Sequence, residues 1–74
     1  MKKFALLRLH NNSNLVLLEC YCESSAEAIG IFNSDLNKSG CAYTLNGEGY
    51  YKVNEDTSLS IAEFFNPISW MFKH

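Results

Sequence analysis

A chain of 74 residues, 47% hydrophobic, 14% aromatic and 19% charged, reads as one folded domain spanning residues 1–74; at this size it buries only about 60% of the surface its unfolded form exposes, so nearly every large apolar side chain must serve one core. Eight acids against six bases leave a net charge of −2, too few lysines and arginines for a phosphate backbone, which excludes double-stranded nucleic acid as a partner. No stretch approaches the roughly 18 apolar residues of a membrane span.

The opening MKKFALLRLH sets two lysines before an apolar run, but Arg8 interrupts that run, NNSN follows it and no small-residue cleavage site appears. The segment therefore reads as structure and not as a signal peptide. Three cysteines, an odd number, fit free thiols in a reducing compartment, so the expected location is cytoplasmic.

Residues 2–10 and 15–23 are short, leucine-rich and strand-like, and the polar cluster Asn11, Asn12, Ser13, Asn14 between them predicts a hairpin with a loop of about four residues. In the second strand Val16, Leu18, Cys20 and Cys22 share one face and Leu15, Leu17, Glu19, Tyr21 and Glu23 the other. The first strand is apolar on both sides, as in a strand that is central in its sheet or covered by a partner.

Ser24-Ser25-Ala26-Glu27 is a capping box and predicts a helix start. Ala28, Ile29, Phe32 and Leu36 recur at helical spacing as one apolar stripe, and Gly40 supplies a left-handed stop. CAYTLNGEGYYKV then predicts a second hairpin turning at Asn46-Gly47, the dipeptide suited to a type I′ turn. Tyr50 and Tyr51, being adjacent, must face opposite sides, one inward and one outward.

Beyond Val53, Asp56 or Thr57 can cap a helix, and Ser60 to Glu63 matches a second capping box, so helix is expected from about residue 58. Pro67 lacks an amide and pushes Asn66 out of the α region, so the helix should break there and restart. Without the break, Trp70 would lie opposite the stripe of Ile61, Phe64, Phe65, Ile68, Met71 and Phe72. The tail FFNPISWMFKH either lids a sheet face or presents Trp70 as an anchor for another protein.

The expected fold is thus α+β: a small antiparallel sheet of three to four strands, one helix packed across it and a C-terminal helical segment, in the order ββαββα. Exposed edges make a homodimer a further expectation.

No constellation outranks packing as an explanation of its residues. Cys20, Cys22 and Cys41 with His10 or His74 could offer zinc ligands, but C-x-C is not the usual knuckle spacing and free cysteine packs as a small apolar residue. Neither histidine is placed to activate a thiol, Glu55-Asp56 reads as helix capping, and NGEG lacks the lysine and helix of a phosphate loop. No catalytic residue, metal site or cofactor is assigned. The expected function is a non-enzymatic, stoichiometric protein-binding module, with Trp70, Phe72, Tyr51 and Tyr21 as partner-binding residues. The alternatives are a self-associating structural or regulatory subunit and a small metal-stabilised domain. In size, strand-strand-helix layout and absence of site chemistry the chain resembles accessory proteins of phages and mobile elements, including anti-CRISPR inhibitors of host defence. That resemblance implies a protein partner and an inhibitory outcome; no motif in CYCESSAEAIGIF carries it.

Overall fold

The computed structural model describes residues 1–64 and shows an α+β fold. Strands β1 (Lys2–His10) and β2 (Ser13–Cys22) form a hairpin, helix α1 (Ser25–Lys38) crosses one sheet face, and β3 (Tyr50–Asn54) and β4 (Thr57–Phe64) form a second hairpin. All neighbours are antiparallel, in the order β2-β1-β4-β3. The expected small antiparallel sheet with one helix is therefore present, with four strands, and β1 is central, one of the two arrangements its two-sided apolar pattern allowed.

The first hairpin is tighter than expected. Its loop is only Asn11 and Asn12, at φ 48° and 67°, the left-handed pair that a two-residue type I′ connection needs and that asparagine tolerates best after glycine. His10 faces Ser13, so Ser13 and Asn14 belong to β2 and not to the loop. A bulge at Leu17 also shifts the pairing between Leu6 and Leu7. One extra residue inverts which side chains face which way. Leu18, Cys20 and Cys22 therefore keep the helix side, whereas Val16, expected with them, pairs with Leu7 on the opposite face.

The helix starts where the capping box placed it. The Ser24 hydroxyl accepts from the Glu27 amide at 3.3 Å, but the Glu27 carboxylate accepts from the Glu23 amide at 3.1 Å, one residue earlier than expected. Its end is a Schellman stop: Gly40 has φ 87°, its amide donates to the Asn37 carbonyl at 3.1 Å, and the Cys41 amide donates to the Leu36 carbonyl at 3.0 Å. The predicted stripe points at the sheet, with Ala28, Phe32 and Leu36 buried and Ile29 packed beside them. They meet Phe4, Leu6, Cys22, Leu45 and Leu59 in one apolar core.

Two expectations fail after the helix. CAYTL is not a strand, and Asn46-Gly47 does not turn a hairpin; neither residue has positive φ. Instead the Asn46 side-chain oxygen accepts from the amides of Glu48 and Tyr50 at 2.8 and 3.1 Å, and the Gly49 amide donates to the Asn46 carbonyl at 2.9 Å. The asparagine thus folds the chain on its own side chain, which competes with a ladder. The preceding loop is held by Asn33 of α1, whose carboxamide accepts from the Leu45 amide at 2.8 Å and donates to the Leu45 carbonyl at 3.3 Å. A side chain thereby supplies the two bonds a strand partner would have made, and Leu45 drops into the core.

A further correction concerns Thr57–Phe64: helix is expected from about residue 58, and the segment is strand β4. The capping signals there are real but local. β1 needs a neighbour on its second side, and β4 supplies it with Leu59 and Ile61 on the helix face and Ser58, Ser60 and Ala62 on the other. Tertiary pairing overrides the cap signals. The Pro67 break and any C-terminal helical segment past Phe64 lie outside the described residues.

Candidate functional site

The register divides the sheet into two faces of different character. On the helix face Phe4 and Leu6 of β1, Leu59 and Ile61 of β4 and Leu18, Cys20 and Cys22 of β2 pack together. Among the described residues no helix covers the other face.

That open face has two ends. At one, Lys3 stands between Tyr21 and Phe64, its ammonium 3.5 Å from the Glu19 carboxylate and 5.3 Å from the centre of the Phe64 ring. Lysine's stem lies along the apolar surface while its charge is shared between a carboxylate and a ring face. Ala5 is buried next to it, between Glu19 and Ala62. At the other end Leu7 pairs with Val16 and Ser60, and Ser60 pairs in turn with Tyr50. Leu9, Val16, Tyr21, Tyr50 and Phe64 all remain exposed, Tyr21 to 63%.

Beyond Leu9 and Tyr50 the face runs into a cleft of about 490 Å³ between the two hairpin turns, lined by Asn11, Asn12, Lys52, Glu55 and Asp56 among others. The turns are tied together by the Asn11 amide donating to the Asp56 carbonyl at 3.3 Å. Glu55 and Asp56 thus sit in a β-turn between β3 and β4, not at the start of a helix. The cleft offers amides, two carboxylates and one ammonium, suited to hydrogen bonding with a polar ligand edge.

Of the expected partner-binding residues, Tyr21 lies on the open face. Tyr51 points the other way: it is half-buried against the core and stacked on Tyr43, with ring centres 4.6 Å apart and planes 11° from parallel. Trp70 and Phe72 lie outside the described residues. Sequence reading passed over Leu9, Val16, Tyr50 and Phe64 as a group; their shared face depends on the Leu17 bulge and on β4 being a strand, and neither shows in residue order.

The three cysteines are free thiols. Cys22 is buried and donates to the Ser24 carbonyl at 3.3 Å. Burial pushes the Cys20 thiol up to about 11, helped by a hydrogen bond with Cys22 and by the charge of Asp35. A thiol so held is protonated at neutral pH and is a weak nucleophile and metal ligand. Burial also raises the Tyr43 hydroxyl, with a bond to Cys41 second. Among the described residues no group of three or more His, Cys, Asp and Glu side chains comes together around a metal-sized site. His10 stands at the far end of β1 from Cys22, bonded through Nδ1 to the Thr57 hydroxyl and through Nε2 to the side-chain carboxamide of Asn11.

The Cys20 shift makes a pH prediction. Its folded value exceeds the ordinary thiol value of 9.0, so the native state holds the proton longer than the unfolded chain. Its contribution to stability is full below about pH 9 and declines as pH rises toward about 11. Urea midpoints taken across that range should fall, Tyr43 contributing in the same direction, and Cys20→Ala should flatten the fall; an unchanged slope in the variant would assign it elsewhere.

Comparison with protein-family models, with characterised proteins and with solved structures finds no match to the chain. Among the described residues no helix is long and apolar enough to cross a membrane.

Proposed function

We propose that the chain is a non-enzymatic, stoichiometric protein-binding module of the cytoplasm, and that its partner is a protein surface rich in apolar side chains that docks on the open face of the sheet. The observation that supports this reading is the gathering of Leu9, Val16, Tyr21, Tyr50 and Phe64, all exposed, on one face while the core takes the other. Isolated apolar side chains on a surface need no explanation, but a shared aromatic-rich face fits a protein interface. The face carries Lys3 and Lys52 beside Glu19 and no cluster of bases, which favours protein over nucleic acid. Within this reading the specific form is an inhibitor of a host defence system, of the anti-CRISPR kind.

The test is capture of a partner by the tagged chain and by Tyr50→Glu and Tyr21→Glu variants whose circular dichroism matches the parent. A protein retained at a fixed molar ratio by the parent and lost with either variant is the expected result. Equal retention by both variants would move the site elsewhere, and Trp70→Ala and Phe72→Ala, assayed alongside, would show whether the sequence-based assignment holds it. A parent that retains nothing would overturn the reading.

A further inference from the structure

β2 is an edge strand of ten residues, and among the described residues nothing pairs with its outer side. Its free amides and carbonyls define the chemistry of an occupant: another extended strand, since only a strand satisfies such a row. The opposite edge is guarded. β3 has five residues, carries Lys52 and is broken by a bulge at Val53. β2 has no lysine, arginine or proline, and its one charge, Glu19, is paired with Lys3 of its own chain at 3.5 Å.

The side chains of β2 point to an edge partner as well. Leu15, Val16 and Leu17 are consecutive and are 49%, 47% and 39% exposed. Leu15 pairs with Arg8 and Val16 with Leu7, so they lie on opposite faces. The core takes Leu18, Cys20 and Cys22, and the half of the hairpin nearest its turn projects beyond it with both sides bare. A lid on one face would leave the other bare; a strand alongside shelters both.

We propose that β2 pairs with β2 of a second copy of this chain, antiparallel about a two-fold axis near the Leu17 bulge, doubling the four-stranded sheet to eight strands. Antiparallel pairing is the arrangement a two-fold axis imposes on two copies of one strand. With the axis between Leu17 and Leu18, Glu19 falls opposite Val16 of the second copy and not opposite its own duplicate, so no like charges meet across the new ladder. The axis stands perpendicular to the sheet, so both helices lie on one side and both open faces merge on the other.

The experiment is sedimentation of the full chain over a range of concentrations, with hydrogen exchange of the β2 amides at each end of the range. The expected result is a mass rising from one chain to two, with β2 amides slowing in step. Leu17→Lys and Leu15→Lys, two variants so that one folding failure does not decide the matter, should each raise the dissociation constant about tenfold or more, while Val53→Lys on the β3 edge leaves it unchanged. A chain that stays single at every concentration overturns the proposal. So does a dimer that survives both β2 variants but is lost in Tyr50→Glu, which would put the copies face to face. So does β2 protection gained only from an extended segment of another protein. These readouts concern the β2 edge alone and are independent of partner capture by the open face.

Discussion

Replacing Phe32 by alanine is expected to remove a large part of the domain's stability. Phe32 is fully buried and is, with Phe4, one of the two largest fully buried side chains. It stands in the middle of α1's inward stripe, between Ala28 and Leu36, and faces strands drawn from both hairpins. Removing a buried phenyl ring costs about 3–5 kcal/mol, the transfer energy plus the cavity left behind. A domain of this length has only about 4–11 kcal/mol of stability in total. The loss should appear as a lower melting temperature and a urea midpoint well below the parent's. Phe32→Leu, which keeps most of the volume, should melt cooperatively at a lower temperature. A sharp transition near the parent's in the alanine variant would mean that the core closes around something other than this helix face.

The second large effect is expected at Gly49. This residue is buried, has φ 77°, and an added Cβ would lie 2.6 Å from Cγ1 and 2.8 Å from Cδ1 of Ile61. The two backbones are tied as well, because the Ile61 amide donates to the Gly49 carbonyl at 3.0 Å. Any side chain therefore meets a left-handed backbone, costing about 1–2 kcal/mol, and an overpacked contact, costing about 1–3 kcal/mol more. Gly49→Ala should lower stability by the sum of these, whereas Gly47→Ala, with negative φ and open space around it, should stay within about 0.5 kcal/mol of the parent. Gly40→Ala, at φ 87° in open space, should show the backbone cost alone. Adding Ile61→Ala to Gly49→Ala should cost less than the two changes separately, since the clash then vanishes. Strict additivity of the pair would locate the Gly49 effect wholly in its backbone.

Gly49 also accounts for the departure of the second turn from its sequence signature. Asn46-Gly47 carries the strongest turn signature in the chain, yet the glycine that needs its freedom is two residues later, where Ile61 leaves no room for a Cβ. A dipeptide signal reports what a turn tolerates; which glycine is obligatory depends on the side chain packed over it. Asn11-Asn12 is the converse case, a weaker dipeptide that adopts the left-handed pair because β1 and β2 are long and in register on either side. On the candidate face the same holds: Tyr21 was legible as an outward residue of β2, while Val16 joined it only through the bulge at Leu17.

What residue order alone determined is everything governed by neighbours within about four positions. The Ser24 cap, the stripe of Ala28, Phe32 and Leu36, the Gly40 stop, the strand character of β1 and β2 and the opposed directions of Tyr50 and Tyr51 are all of this kind, because capping geometry and the two backbone periods are local properties. Only the tertiary structure decided that residues 57–64 are a strand, that residues 41–45 are a loop held by Asn33, and which apolar residues share the open face. Each of those outcomes rests on a partner distant in sequence: β1 required a second neighbour, Leu45 found its hydrogen bonds on a helix, and one inserted residue at Leu17 exchanged the faces of β2. Long-range pairing energy outweighs local preference wherever an unpaired backbone would otherwise be left beside the core.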